Sequence, residues 1–108
     1  MTLAAPKGFE FPNIFLKELS KRYPKHHVQQ LHSASDAVRT ADVVYTDGWA
    51  SMGQEDDSVR RMKAFVDFQV NEKLMKAAPE HARFMHDLPA KRGLEVTDGV
   101  MDGSQSIV

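Results

Sequence analysis

Short apolar runs alternate along the chain with longer segments in which apolar residues recur at helical spacing. The candidate strands are residues 3–5, 28–31, 43–45, 83–86 and 106–108. The run at 43–45 is β-branched and aromatic, a composition typical of a buried strand, so we expect it at the centre of the sheet. Strands that alternate with helices in this way predict strand–helix units around a parallel sheet.

The first predicted helix follows the opening strand and its loop. It begins with Asn13 as N-cap, ends before Pro24, and carries on one face Ile14, Leu16, Leu19 and Tyr23. We expect this apolar face to cover one side of the sheet. Near the other end of the chain, residues 93–102 are predicted to be a loop with one helical turn.

Three further helices are predicted in the middle of the chain. Ser33 or Ser35 caps a short helix around residues 36–40. Residues 58–78 are helical by composition, but their apolar face changes near residues 67–71. The change predicts two helices in that stretch rather than one.

The composition excludes several classes of protein. A chain of 108 residues that is 42% hydrophobic suits one globular domain with one core. The net charge of −1, from 14 Lys plus Arg against 15 Asp plus Glu, gives no basis for binding nucleic acid or an anionic membrane. No apolar run approaches the roughly 20 residues that span a bilayer, and the N-terminus lacks the order of a signal peptide. A cytoplasmic protein is expected.

Metal binding is also disfavoured. The chain has no cysteine, which excludes disulfides and thiolate metal sites. Its five histidines do not form an i, i+4 pair on a predicted helix, so we predict no metal site and expect them to be solvated at the surface. They are His26, His27, His32, His81 and His86.

One carboxylate lies at the position where open parallel sheets bind ligands. Asp47 follows the strand at 43–45, and its carboxylate at the carboxyl end of that strand suits the α-ammonium group of an amino acid. Ser51 and Gln54 have the spacing of a capping box, whose free N–H groups suit a substrate carboxylate. Taken alone, the same residues also fit a simple Asp-Gly turn at Gly48 and a helix cap without a ligand.

Two segments resemble the ornithine carbamoyltransferase family. Residues 41–55, ADVVYTDGWASMGQE, resemble its ornithine-binding segment, and residues 85–98, MHDLPAKRGLEVTD, resemble its carbamoyl-contacting loop. A looser likeness extends from residues 3–8 to 104–108, so it covers nearly the whole chain. The resemblance implies an α/β fold, a three-layer α/β/α sandwich with a parallel Rossmann-like sheet, truncated at both ends.

The resemblance also implies the site residues. Ornithine would be bound by Asp47, Ser51 and Met52, because these positions match the family's aspartate and its Ser-Met-Gly loop. The main-chain carbonyls of Asp87 and Leu88 would accept hydrogen bonds from the amino group of carbamoyl phosphate. The peptide bond after Leu88 would be cis, which turns these carbonyls toward the ligand.

Asp87 departs from the family, which usually has cysteine there, close to the ornithine side-chain amine. That amine must lose a proton before it attacks the carbamoyl carbon. The reference pKa of a carboxyl group is about 3.9 and that of a thiol about 8.5, so a charged carboxylate would favour the ammonium form of the amine. Asp87 would then tether the substrate and impair its activation. Alternatively, Asp87 is the catalytic base, a role that requires burial.

Residues 1–108 would form an incomplete ornithine-binding domain, without the carbamoyl phosphate domain and its Ser-Thr-Arg-Thr-Arg loop. The full-length family is a homotrimer that uses no cofactor and converts ornithine and carbamoyl phosphate to citrulline and phosphate, in arginine biosynthesis or ornithine metabolism. The isolated chain is therefore expected to be inactive. The alternatives are a non-catalytic amino-acid-binding or subunit-interaction module, and a carbamoyltransferase for a different amine.

Overall fold

The computed structural model describes residues 1–50 and 57–108. Strands and helices alternate through this part of the chain, as the sequence predicts. In order they are β1 (Thr2–Ala4), α1 (Asn13–Arg22), β2 (Gln29–Leu31), α2 (Ala34–Val38), β3 (Val43–Thr46), α3 (Ser58–Phe65), a 3-10 helix (Val66–Phe68), α4 (Glu72–Ala77), β4 (Arg83–His86) and α5 (Asp98–Met101).

The described strands form two parallel pairs, β1 with β2 and β3 with β4. In the second pair Val44 lies opposite Phe84, and Thr46 lies opposite His86. On the far side of β4, Phe84 forms a parallel bridge with Ser106, and the Ile107 N–H donates to the Phe84 carbonyl at 3.0 Å. The Phe84 N–H also donates to the Gln105 carbonyl at 2.8 Å, so the predicted strand at 106–108 is reduced to one bridge and two hydrogen bonds.

The prediction that residues 43–45 form the central strand is wrong. Among the described strands, β3 pairs with β4 alone, whereas β4 has a neighbour on each side. Phe84 of β4 is fully buried, but Val43 and Tyr45 of β3 are 47% and 57% exposed. Successive side chains of a strand face opposite sides, so β3 buries only Val44 against the core. Apolar composition indicated a strand without fixing its place in the sheet.

The core lies on the inner face of β3 and β4 and is closed by α2, α4, α5 and the loop before α5. Complete burial of a large apolar side chain stabilises a fold by roughly 1.5–3 kcal/mol. The buried residues that pack together are Val38, Val44, Val70, Met75, Ala78, Ala82, Phe84, Val96 and Val100. This core fixes the strand pair whose carboxyl ends carry the candidate site.

Helix α1 has the predicted position but not the predicted role. Its N-cap is Pro12, without a side-chain cap bond, and Asn13 is the first helical residue. Ile14 and Tyr23, which were expected on the packed face, are 74% and 63% exposed. Every residue of α1 is exposed or half-buried, so the prediction that this helix covers the sheet is wrong. Helical spacing of apolar residues does not itself supply a surface to pack against.

The predicted break between residues 67 and 71 is confirmed, and Asn71 explains where the next helix begins. The Asn71 side chain accepts a hydrogen bond from the Leu74 N–H at 2.9 Å, as an N-cap does. At α2, Ser33 has the same role: its hydroxyl accepts from the Asp36 N–H at 3.2 Å. Of the two predicted caps, Ser33 is therefore the one used.

Replacement of Asn71 by alanine is expected to lower the free energy of unfolding by about 1 kcal/mol, because the Leu74 N–H loses its partner. Asn13→Ala is the matched control, since Asn13 is not a cap and should change stability by a few tenths of a kcal/mol at most. Urea unfolding followed by circular dichroism measures both. Equal losses in the two variants would contradict the assignment of the cap.

Candidate functional site

Asp47 and Asp87 stand side by side at the carboxyl edge of the β3–β4 pair. Thr46 and His86 are register partners in parallel strands, so the residues that follow them emerge at the same edge. Ligands of open α/β sheets bind outside this edge. The expectation that Asp47 and Asp87 share this edge is confirmed, whereas Ser51, which was expected beside them, lies outside the described residues.

Tyr45 lies within electrostatic reach of both carboxylates. Desolvation raises the pKa of Tyr45 above its ordinary value, and the carboxylate of Asp87 raises it further through its charge and as a hydrogen-bond acceptor. The charge of Asp47 raises the pKa of the same phenol. Both carboxylates therefore lie within electrostatic reach of one hydroxyl group, which makes this edge electronegative and suited to an ammonium group.

The Asp47 side chain bonds to the main chain beside it. Its Oδ1 atom accepts a hydrogen bond from the Gly48 N–H at 2.6 Å, while the Thr46 hydroxyl donates weakly to the Asp47 carbonyl at 3.4 Å. Residues 47 and 48 form no turn, and the chain bends only at residues 49 and 50, so the Asp-Gly turn that the sequence suggested is not formed. Asp47 itself is exposed, which leaves its carboxylate accessible to a ligand.

The loop after β4 has an unusual backbone. The Leu88–Pro89 peptide bond is cis, as expected, and Leu88 has φ of 60°, a left-handed conformation that residues with a side chain seldom adopt. Asp87 and Leu88 are 45% and 52% exposed, so this backbone lies at the surface. The burial that a base role of Asp87 requires is not provided by this chain.

Comparison with known proteins decides the family. A family profile described as "Aspartate/ornithine carbamoyltransferase, Asp/Orn binding domain" matches residues 1–108. The chain belongs to this family. The catabolic ornithine carbamoyltransferase of Thermoplasma acidophilum is 48% identical over 100% of this chain and 36% of that protein. The chloroplastic enzyme of Pisum sativum is 49% identical over 97% of this chain and 28% of its own length.

Solved structures of the carbamoyltransferase family share the fold. The ornithine carbamoyltransferase of Pyrococcus furiosus superposes with a TM-score of 0.86 at 44% identity, covering 99% of this chain and 35% of its own. An N-acetyl-L-ornithine transcarbamylase also superposes, with a TM-score of 0.76 at 26% identity. The α/β fold is confirmed, and the chain spans about a third of the length of these relatives.

Two of the predicted ornithine-binding residues, Ser51 and Met52, lie outside the described residues, and so does the predicted capping box. The residues just before Ser51 are well anchored. Trp49 is buried and stacks on Phe65, with ring centroids 5.9 Å apart and planes inclined at 27°. Arg61 also donates to the Trp49 carbonyl at 3.4 Å. These contacts join the segment after Asp47 to α3.

Sequence reasoning missed a buried pair directly below the site. His86 was expected at the surface, but its side chain is fully buried, and its Nε2 atom lies 3.0 Å from Oε1 of Glu95, which is equally buried. The expectation of surface solvation is therefore wrong for His86. The one signal in the sequence was a charged residue flanked by the apolar residues Leu94 and Val96.

A separate groove lies on another part of the surface. It has a volume of about 490 Å³ and lies between the start of α2 and the 3-10 helix with α4, with His32, Ser33, Asp67 and Lys73 among its lining residues. Neither Asp47 nor Asp87 lines it. In the described chain the candidate ornithine site is an open edge rather than a closed pocket.

Residues 1–50 and 57–108 contain neither a metal-binding cluster nor a membrane-spanning helix. In these ranges no cluster of three or more His, Cys, Asp or Glu side chains is arranged to hold a metal ion. The helices in the same ranges are too short or too polar for any of them to cross a membrane.

Proposed function

We propose that this chain is the ornithine-binding part of an ornithine carbamoyltransferase, which transfers the carbamoyl group of carbamoyl phosphate to ornithine to give citrulline and phosphate. One observation carries the proposal. In a chain that matches the Asp/Orn binding domain along its whole length, Asp47 and the Asp87–Leu88 loop share one edge of the sheet. The wider role in arginine biosynthesis or ornithine metabolism, in the cytoplasm, rests on the same proposal.

Asp47 is assigned to the α-ammonium group of ornithine. A hydrogen bond between an ammonium group and a carboxylate is about twice as strong as a neutral one, and the exposed position of Asp47 leaves it accessible. The main chain at Ser51 and Met52, which lie outside the described residues, is assigned to the substrate carboxylate, because the capping box predicted from the sequence would leave free N–H groups there that bind anions.

The carbamoyl group is assigned to the loop after β4. Its amino group would donate hydrogen bonds to the main-chain carbonyls of Asp87 and Leu88, both in exposed residues. These contacts use the backbone, so they do not depend on the family's cysteine. The phosphate would be held by a carbamoyl phosphate domain that completes the enzyme, and the complete enzyme would be a homotrimer.

The Asp87 side chain is assigned to the side-chain amine of ornithine as a tether. Asp87 is 45% exposed at the edge of the site, and a carboxylate close to an amine favours the ammonium form of that amine. A tether improves substrate binding and at the same time slows the deprotonation that the attack requires. Asp87 therefore acts on the reaction through the charge state of the substrate.

A second candidate function is favoured by the same residue. Asp87 stands where the family usually has cysteine, so the chain has exchanged a neutral thiol for a charge beside the reacting amine. Such a change suits a carbamoyltransferase for a different amine, or an amino-acid-binding module without catalysis. The fold is compatible with a different amine, since the N-acetyl-L-ornithine enzyme shares it.

A chimeric enzyme, called the graft below, tests the proposal. In the graft, residues 1–108 replace the matching segment of the full-length Thermoplasma acidophilum enzyme, which supplies the remainder of the protein. We expect the graft to form citrulline from ornithine and carbamoyl phosphate, while the isolated chain forms none above background. Size-exclusion chromatography and carbamoyl phosphate binding establish that the graft has assembled. An assembled graft that binds carbamoyl phosphate but makes no citrulline from ornithine would contradict the proposed function.

A further inference from the structure

The buried pair of His86 and Glu95 lies at the base of the Asp87–Leu88 loop, and no step of the proposed function uses it. Both side chains are completely shielded from solvent. His86 is the last residue of β4, and Glu95 lies beyond the loop. Burying a histidine and a carboxylate costs solvation free energy, so we expect this pair to have a role.

Hydrogen bonding fixes the protonation of the His86 ring. The Leu88 N–H can only donate, and it lies 2.8 Å from His86 Nδ1, so Nδ1 is an acceptor without a proton. The remaining ring proton is on Nε2, which donates to Glu95 Oε1 at 3.0 Å. The approach of Asp87 Oδ1 to His86 Nδ1, at 3.5 Å, is therefore not an ion pair, since both atoms are acceptors.

We propose that His86 and Glu95 are positioning residues that set the main chain of Asp87 and Leu88, and with it the direction of the two carbonyls assigned to the carbamoyl group. The assignment of the carbonyls rests on the proposed function, but the positioning does not. His86 acts through its Nδ1 atom, which holds the Leu88 N–H, and Glu95 acts by fixing the ring that carries Nδ1.

The backbone of Leu88 shows why such a restraint is needed. With φ of 60°, Leu88 occupies a conformation in which its Cβ is crowded, and such residues persist only when their surroundings hold them. The hydrogen bond to His86 is made by Leu88's own N–H, two residues along the chain. A ring buried in the core is a rigid acceptor for this purpose.

Glu95 connects the two ends of the loop. Its Oε1 atom accepts from His86 Nε2, before the loop, and from the Lys91 N–H at 2.7 Å, after it. The Glu95 backbone is itself fixed, because its carbonyl accepts from the Val70 N–H at 2.9 Å. Oε2 of Glu95 accepts no hydrogen bond from any residue that the structure describes. The hydrogen bonds from His86 and Lys91 therefore both end on the same atom, Oε1 of Glu95.

Two substitutions at His86 separate the roles of the ring nitrogens. His86→Asn places an amide oxygen near the position of Nδ1, so it retains the acceptor for the Leu88 N–H and loses the reach to Glu95. His86→Gln places its amide near the position of Nε2, so it retains the reach to Glu95 and loses the acceptor. His81→Gln is the control, because the His81 side chain is exposed and, among the described residues, pairs only with Asp42.

The readout is hydrogen exchange of the Leu88 amide in the labelled 108-residue chain, compared with its stability to urea. We expect protection of Leu88 to fall at least about tenfold in His86→Gln and to stay within about threefold of the parent in His86→Asn and His81→Gln. Equal protection in the two His86 variants would overturn the proposal. A loss in His86→Gln that merely follows global stability, with all core amides affected alike, would overturn it as well.

The parent chain supplies a measurement that requires no variant. Long-range nitrogen–proton correlation spectra of the imidazole are expected to show a neutral ring with its proton on Nε2. A ring with its proton on Nδ1 cannot accept from Leu88 and would overturn the proposal. The proposal therefore stays testable even if His86→Gln does not fold.

Kinetics of the graft separate this inference from the proposed function. We expect His86→Gln to raise the KM for carbamoyl phosphate and lower kcat, with the KM for ornithine unchanged and with recovery in His86→Asn. If Leu88 responds as expected but the graft makes no citrulline, the proposed function fails and the positioning role stands. If the graft is active and Leu88 does not respond, the positioning role fails alone.

Discussion

Asp47→Ala is expected to weaken ornithine binding by about 10- to 100-fold, which is the effect of losing one hydrogen bond between charged groups. Asp47 is exposed at the carboxyl edge of β3, and its carboxylate is the one assigned to the α-ammonium group. Because an α-amino group has a reference pKa of about 7.7–8.0, the loss should be largest below about pH 7 and should diminish as the ammonium group loses its proton. Titration calorimetry with ornithine on the 108-residue chain and on the graft measures it.

Asp42→Ala is the matched control for Asp47→Ala. It removes the same charge from the opposite end of β3, where Asp42 is 86% exposed and pairs with His81 at 2.8 Å. Ornithine affinity should not change in this variant. Equal affinity of the Asp47→Ala protein and the parent would remove Asp47 from the site. Equal losses in both variants would show that ornithine responds only to net charge.

Asp87→Cys in the graft is expected to raise kcat by about tenfold or more at neutral pH and, because the tether is lost, to raise the KM for ornithine as well. An opposite charge within about 4–6 Å shifts the pKa of its neighbour by roughly 1–3 units, here upward for the substrate amine. Removing the carboxylate lowers the pKa of that amine, so the neutral, attacking form appears at lower pH. The pH optimum should therefore shift downward.

Asp87→Asn is the control for the thiol in this experiment, because it removes the charge without adding an ionisable group. It should raise kcat as well. If Asp87 is instead the base, both changes should lower turnover. Identical pH profiles for the three proteins would show that the Asp87 side chain has no part in proton transfer. Steady-state rates from about pH 6 to 10, across the range in which an amine titrates, distinguish these outcomes.

The sequence predicted local elements well because their signals are local. Asn71 ends a break between two helices and Ser33 caps α2, and both bonds join residues three apart. The order of strands is not local information. Nothing in Val43–Thr46 distinguishes a strand with one partner from a strand with two, so β3 was placed where β4 lies. The exposure of α1 depended on distant packing in the same way.

The candidate site was predictable to the extent that parallel strands impose it. Once residues 43–45 and 83–86 are neighbours in a parallel pair, Asp47 and Asp87 must share an edge. The His86–Glu95 pair was not predictable from spacing, because nine positions separate the two residues and burial alone brings them together. Residues 85–98, the segment that resembles the family's loop, contain both residues, but only the structure shows that they pair beneath it.

An ornithine titration of the isotope-labelled 108-residue chain, followed through its backbone amide shifts, tests the location of the site most directly. We expect concentration-dependent chemical-shift changes at Asp47, Gly48, Asp87 and Leu88, and the loss of these changes in Asp47→Ala. Shifts confined to the groove lined by His32, Asp67 and Lys73, or shifts at the edge that persist unchanged in Asp47→Ala, would contradict it.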